Sequence, residues 1–324
     1  MSPEVFIDFG ILKLAADGSD SYIMGAVETA LRTDDPLWSA GVFTTFYAPP
    51  AQEFFCNWWS RRDVLDHPAH VLDWVTRNWK GLPLSGARRT GAFTPVKVMA
   101  ALMGWAEYLE FDGPYRLTGY DFDEAFTMFL RNVPYHGRYT GLKLYETVRR
   151  LGAPLALVDN IVPRGGKTPR KGLTMIFPQH PYAVNDDAAL HEANELADEL
   201  RKELHTTWFN VEMLLCNFGK AVKGSYYPGH AVDRELAHAA KAEGWFGERA
   251  GELRAVRQDL YPRVCLGEHN DWFSTRKELE RCYAAHGYFW SDLLYDYGKT
   301  TDLSQPYRRD IPTLTSLRGY GEEL

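Results

Sequence analysis

The chain is 324 residues long, 45% apolar, and carries a formal net charge of −7. That length supports one large core or two modest ones. No apolar run approaches the roughly 20 residues of a membrane span, and the opening MSPEVFIDFGILKLAADGS lacks the layout of a signal peptide, which predicts a cytoplasmic protein with no membrane partner. A negative total also excludes a chain that coats nucleic acid over its whole surface, because such binding rests on many phosphate-neutralising Lys and Arg.

Residues 1–50 hold Tyr22, Trp38, Phe43, Phe46 and Tyr47 and end in Pro49-Pro50, which sets them off from the chain beyond residue 50 without defining their architecture. From Pro95 the run VKVMAALMGWAEYL places Met99, Leu102, Met103, Ala106 and Leu109 on one face, with Thr94 as N-cap and Pro95 at the first helical position. Phe122 to Asn132 reads as another amphipathic helix. A Pro/Gly turn and a further helix come next in VPYHGRYTGLKL, residues 133–144. The stretch RGGKTPRKG, from Arg164 to Gly172, is expected to be an exposed loop. A long helix is expected from about Asp187 to Cys216, with Leu196, Leu200 and Leu204 four residues apart. Helical periodicity continues to Tyr295 and β-alternation is scarce, so the class is mainly α. Three regions are expected: 1–50, a helical region 51–180 with the hairpin at 133–150, and a helical region 181–324. Cys56, Cys216, Cys265 and Cys282 lie far apart, with no metal-ligand spacing, and read as reduced thiols, mostly in the core.

The charge is unevenly placed. From Arg131 to Lys171 nine Lys or Arg stand against two acids, Glu146 and Asp159, leaving an acidic remainder. One positive surface on an acidic body fits a protein that meets DNA at a single face. The plainer reading is a solvated charged loop. In the helix–turn–helix run, consecutive N–H groups at a helix start can hold a phosphate, and Gly137 lets the backbone come close while Arg138 and Lys143 add charge.

This segment resembles the helix-hairpin-helix of DNA glycosylases, whose turn has the form Leu-Pro-Gly-x-Gly-x-x-Thr-Ala; Tyr135 stands where the first Gly is expected. The continuation LVDNIVPR, Leu157 to Arg164, is similar to the Val-Asp-x-x-Val-x-Arg run of the same enzymes. The resemblance places Asp159 at the catalytic aspartate. It also places Tyr139 where bifunctional members carry a nucleophilic lysine, which removes the imine-forming amine and the lyase chemistry with it. Without the resemblance, Asp159, after LALV and before Ile161-Val162, has the alternative reading of a helix N-cap, which the basic residues around it weigh against.

A second block, Glu212 to Asp233, reads EMLLCNFGKAVKGSYYPGHAVD and gathers Lys220, Lys223, Tyr226, Tyr227 and His230. Such a cluster can hold an anion and move protons, or it can be a polar loop packed with tyrosines. With the hairpin, it resembles the Glu-x-x-x-Cys-(x)n-Gly-x-Tyr-Tyr-x-Gly-(x)n-Asp signature of phage amino acid:DNA transferases, the α-glutamyl/putrescinyl thymine pyrophosphorylases, over roughly residues 40–235. The resemblance implies a helix-hairpin-helix, DNA-glycosylase-like helical fold with extra helical segments, working in the cytoplasm of a phage-infected bacterium. The implied substrate is DNA with a pyrophosphorylated 5-hydroxymethyluracil base, extruded from the stack, whose pyrophosphate is displaced by the amine of an amino acid or polyamine; the Lys-, Arg- and Tyr-rich, acid-poor blocks favour an amino acid donor, glycine first. In that scheme Asp159, His230 and His136 are the candidate proton acceptors. Gly137, Arg138, Tyr139, Lys143, Arg164 and Lys167 contact DNA and phosphate, and Lys220, Lys223, Tyr226 and Tyr227 hold pyrophosphate or donor. A divalent ion can assist the phosphates, although no ligand motif commits the sequence to a metal or other cofactor. The alternatives are a monofunctional DNA glycosylase and a non-enzymatic DNA-binding protein.

Overall fold

The computed structural model describes residues 3–17, 21–82, 84, 91–160, 167–179, 187–221 and 251. These residues form helices and connecting turns, and no strand occurs among them, as the periodicity predicts. They fall into two compact units whose division follows neither residue 50 nor residue 180. Among the described residues, one unit holds 21–157 and Gly251; the other joins 3–17 to 158–221.

In the unit from Ser21 to Leu157, the helices are α2 (Ser21–Leu31), α3 (Pro36–Phe46), α4 (Pro49–Trp58), α5 (Arg61–Asp66), α6 (Pro68–Asn78), α7 (Pro95–Glu110), α8 (Phe122–Asn132) and α9 (Arg138–Arg150). A 3₁₀ turn, Gly113–Leu117, links α7 to α8. Helix α3 is the hub, packed against α2, α4, α7 and α9. It begins where the Asp35 carboxylate accepts from the Trp38 N–H at 3.0 Å and Pro36 supplies a helical φ. Every residue from Trp38 to Phe46 is buried, the pattern of a helix enclosed on all sides. Pro49-Pro50 does mark a boundary, and it does so by starting α4, with Pro49 in its first turn.

The α3–α7 crossing depends on Gly41. A Cβ there would fall inside the indole ring of Trp105, a residue buried on α7 whose Nε1 donates to the Leu37 carbonyl at 2.9 Å. Helix α7 is capped by Thr94, as its sequence predicts. Its buried face runs through Val98, Met99, Ala101, Leu102, Trp105 and Ala106, so Met99, Leu102 and Ala106 lie on it as expected, whereas Met103 and Leu109 are half-buried. The large Trp105 ring reaching α3 rotates the helix toward that partner.

The other unit contains α1 (Pro3–Asp17), α10 (Lys167–Ile176), α11 (Asp187–Glu203) and α12 (Trp208–Ala221). Two expectations are corrected here. The stretch read as an exposed loop is helical from Lys167 onward, with Pro169 tolerated in the first turn. Arg170 and Leu173 are buried, because Gly172 lets α10 lie directly on the main chain of α12: a Cβ at 172 would overlap the Leu215 carbonyl oxygen. The single helix expected from Asp187 to Cys216 is two helices. His205 adopts φ 45°, which ends α11, and the Thr207 hydroxyl accepts from the Asn210 N–H at 3.3 Å to start α12. Helix α1 packs on α11 and α12 through Phe6 and Phe9, both of which meet the Phe218 ring.

Because Gly41 and Gly172 sit at helix contacts with no room for a side chain, Gly41→Ala and Gly172→Ala should each lower unfolding free energy by about 1–3 kcal/mol, measured by urea titration. Unchanged midpoints would mean that these crossings are looser than described.

Candidate functional site

The hairpin is built from α8, the turn at residues 133–137, and α9. Asp121 caps α8 by accepting from the Glu124 N–H at 2.8 Å. The turn is seated by Pro134, which packs where Gly104 of α7 has no side chain. Gly141 in turn admits the Leu130 side chain between α8 and α9. Tyr135 stands at the position where the glycosylase turn has glycine, and it takes φ 61°, the left-handed conformation that glycine adopts at least cost. Its carbonyl is held by the Gly91 N–H at 3.0 Å. A bulky residue keeps such a strained conformation only where the surroundings enforce it.

Helix α9 starts at Gly137, an exposed N-cap with no side-chain hydrogen bond to the first turn and nothing within 4 Å of where a Cβ would lie. Backbone N–H groups at such a start point outward, and the helix dipole favours an anion there. Arg138 and Tyr139, the first two helical residues, are exposed.

The next turns of α9 differ from the sequence reading. Lys143, expected among the phosphate contacts, is 1% exposed. Its Nζ lies 3.5 Å from Oε2 of Glu146, also 1% exposed, and Arg150 approaches Oε1 of the same carboxylate with Nη2 at 3.2 Å. The Lys143 ammonium also sits 5.9 Å from the centre of the Tyr139 ring. A buried cation held in this way serves α9 and does not reach solvent, whereas Arg138 does. The wider positive footprint shrinks for the same reason. Arg150 and Arg170 are buried along with Lys143, whereas Arg131, Arg138 and Lys171 are exposed. Glu146 and Arg150 entered the sequence reading only through the charge count, with no role assigned. Their spacing with Lys143, at i, i+3 and i+7, was the signal for one face of a helix.

His136 is buried as well. Its Nδ1 donates to the Pro134 carbonyl at 2.9 Å, which leaves Nε2 to accept from the Thr44 hydroxyl at 2.9 Å. Burial pulls the ring's pKa down to about 4, with the Pro134 bond opposing the shift. At neutral pH the ring is therefore uncharged and pins the turn to α3; the structure does not present it as a proton acceptor. Tyr47, which the sequence shows only as one of the aromatic residues of 1–50, also reaches this hairpin. It is 2% exposed, and its hydroxyl meets that of Tyr139 at 2.9 Å.

Asp159 is exposed, and its Oδ1 accepts from Asn160 Nδ2 at 2.8 Å. The next helix, α10, is described from Lys167, and residues 161–166 lie outside the described residues. In the other unit, the Tyr145 hydroxyl of α9 donates to the Ala156 carbonyl at 3.1 Å. Lys167 opens α10, and Lys220 is exposed in the last turn of α12. Arg164, Lys223, Tyr226, Tyr227 and His230 lie outside the described residues, as do Cys265 and Cys282. Cys56 is half-buried and its thiol is pushed up to about 12, chiefly by burial, which makes it unreactive. Among the described residues no three His, Cys, Asp or Glu gather as a metal-binding group, and no helix is long and apolar enough to cross a membrane.

No protein-family model, no curated protein and no solved structure matches the chain.

The His136 environment generates a pH test. The folded pKa is depressed below the unfolded value of 6.5, so the unfolded chain binds the proton more readily and stability falls as pH drops from 6.5 toward 4. The loss from this ring should reach about 3 kcal/mol at most. Denaturation at a series of pH values should show that slope in the native chain and a flatter one in His136→Gln; identical slopes would contradict the assignment.

Proposed function

We propose that the chain is an enzyme that modifies DNA bases, a transferase that replaces the pyrophosphate of pyrophosphorylated 5-hydroxymethyluracil with an amino acid. The observation that carries this reading is the start of α9. There an open Gly137 N-cap, uncovered by any side-chain cap, stands beside exposed Arg138 at a turn whose Tyr135 holds the left-handed conformation. That arrangement suits a DNA phosphate. The resemblance of the 133–164 and 212–233 segments to the phage amino acid:DNA transferases supplies the reaction class.

In this reading the hairpin holds the backbone while the base leaves the stack, at a cost of a few kcal/mol. The donor's nitrogen attacks the 5-methylene carbon, the carbon–oxygen bond breaks, and its electron pair departs with pyrophosphate. The amine must first give up a proton, and Asp159 is assigned as its acceptor because it is an exposed carboxylate. His230 is the second candidate. Arg164, Lys167, Lys220 and Lys223 are assigned to the developing charge on pyrophosphate, and Tyr226 and Tyr227 to the donor. Blocks rich in Lys and Arg and poor in acids favour a donor with a carboxylate, and glycine is the smallest.

The test offers glycine, glutamate and putrescine separately with the modified DNA, reading pyrophosphate release and the nucleosides by mass spectrometry. A glycine-substituted thymine analogue is the expected product. A free base would establish the glycosylase alternative, and unchanged DNA would remove both enzymatic readings. Asp159→Asn should abolish turnover with DNA binding retained; an active variant would dismiss the carboxylate.

Arg138→Ala should flatten the dependence of log affinity on log salt by up to about one unit, the effect of one lost phosphate contact. Should the slope stay as in the native chain, the hairpin does not hold the phosphate.

A further inference from the structure

An exposed tyrosine ordinarily lays its ring on the protein and keeps its hydroxyl in water. Tyr139 does the reverse. It is 39% exposed, yet its hydroxyl is the end that turns inward, 2.9 Å from the hydroxyl of buried Tyr47. One side of its ring faces the buried Lys143 ammonium at 5.9 Å. The surface that reaches solvent is therefore apolar ring, beside the Gly137 N-cap and Arg138.

The anchor is rigid. Tyr47 closes α3 in the left-handed conformation, φ 55°, and its ring stacks on Phe43 at 5.3 Å and on Tyr22 at 5.9 Å. Two more aromatic side chains are exposed on the neighbouring backbone: Tyr135 at 45% and Phe93 at 59%, in segments joined by the Gly91–Tyr135 hydrogen bond. Exposed rings beside a cation, on a backbone held in place, are the chemistry that takes unstacked bases, since every base offers a π-face.

We propose that Tyr139, held by Tyr47, is the stacking surface of this hairpin for an unpaired base, and that Tyr135 and Phe93 extend it along a single strand or an opened duplex. The inference rests on the reading of the hairpin as a DNA contact and names the form of DNA that it takes. Bases inside an intact duplex have no face to offer, so the preference is for single-stranded or opened DNA.

The experiment measures binding of a short fluorescein-labelled oligothymidine, and of a duplex of equal length, by fluorescence anisotropy at fixed salt. Tyr139→Ala should weaken oligothymidine binding about 5- to 100-fold, with a far smaller effect on the duplex. Tyr47→Phe keeps the buried ring and removes only the tether, so it should give a smaller loss in the same direction. Phe93→Ala and Tyr135→Ala provide a second pair of variants should Tyr139→Ala lose its helical circular dichroism. Oligothymidine binding by folded Tyr139→Ala that equals the native chain overturns the stacking role, as does an equal loss on both probes. Loss with Arg138→Ala and none with Tyr139→Ala overturns the stacking role and leaves the phosphate contact in place. A native chain that binds oligothymidine through Tyr139 but releases no pyrophosphate overturns the transferase reading alone. A native chain that binds neither probe overturns both.

Discussion

The burial of α9 depends on the carboxylate of Glu146. Two cations, Lys143 and Arg150, are buried one turn to either side of it on α9, and each approaches one of its oxygens. Charges removed from water cost several kcal/mol each unless they are paired and hydrogen-bonded. All three side chains belong to α9, so the pairing lets this stripe of the helix leave water, while the contacts of Tyr139 with Tyr47 and of His136 with Thr44 hold the hairpin against α3. With this face turned inward against α2 and α3, the first turn of α9 emerges with Gly137, Arg138 and Tyr139 at the surface. The ion pairs contribute to the candidate site by allowing α9 to be buried next to it.

The same helix joins interior to surface through hydroxyl and imidazole contacts. Tyr139 reaches Tyr47 at the end of α3, His136 reaches Thr44 one turn earlier on α3, and Tyr145 reaches the main chain at Ala156. The hairpin turn is thus tied to the hub helix at two points. The chain at Ala156 is tied to α9 at a third. Non-glycine residues in the left-handed region end α3 at Tyr47, shape the hairpin at Tyr135 and separate α11 from α12 at His205. Each carries the local cost because packing on either side fixes the direction of the chain.

Much of the fold was legible in the sequence by itself. The mainly helical class followed from apolar spacing. The start of α7 followed from Thr94-Pro95, and the helix–turn–helix at 122–150 from an amphipathic run broken by Pro and Gly. These are local signals, set by backbone sterics and capping chemistry within a few residues. Only the tertiary structure decided which faces are buried and which charges reach solvent. Lys143, Arg150 and Arg170 read as surface charge because a sequence window does not show that α9 lies in the core or that Gly172 brings α10 onto α12. Tyr47 and Tyr139 lie 92 positions apart, so no periodicity could pair their hydroxyls. The break at His205 was hidden because the leucines at 196, 200 and 204 keep helical spacing up to it, while the reversal depends on where α11 and α12 pack. Spacing along the chain set which segments become helices; the burial of α3 and α9 among their neighbours set which of their residues can meet a partner.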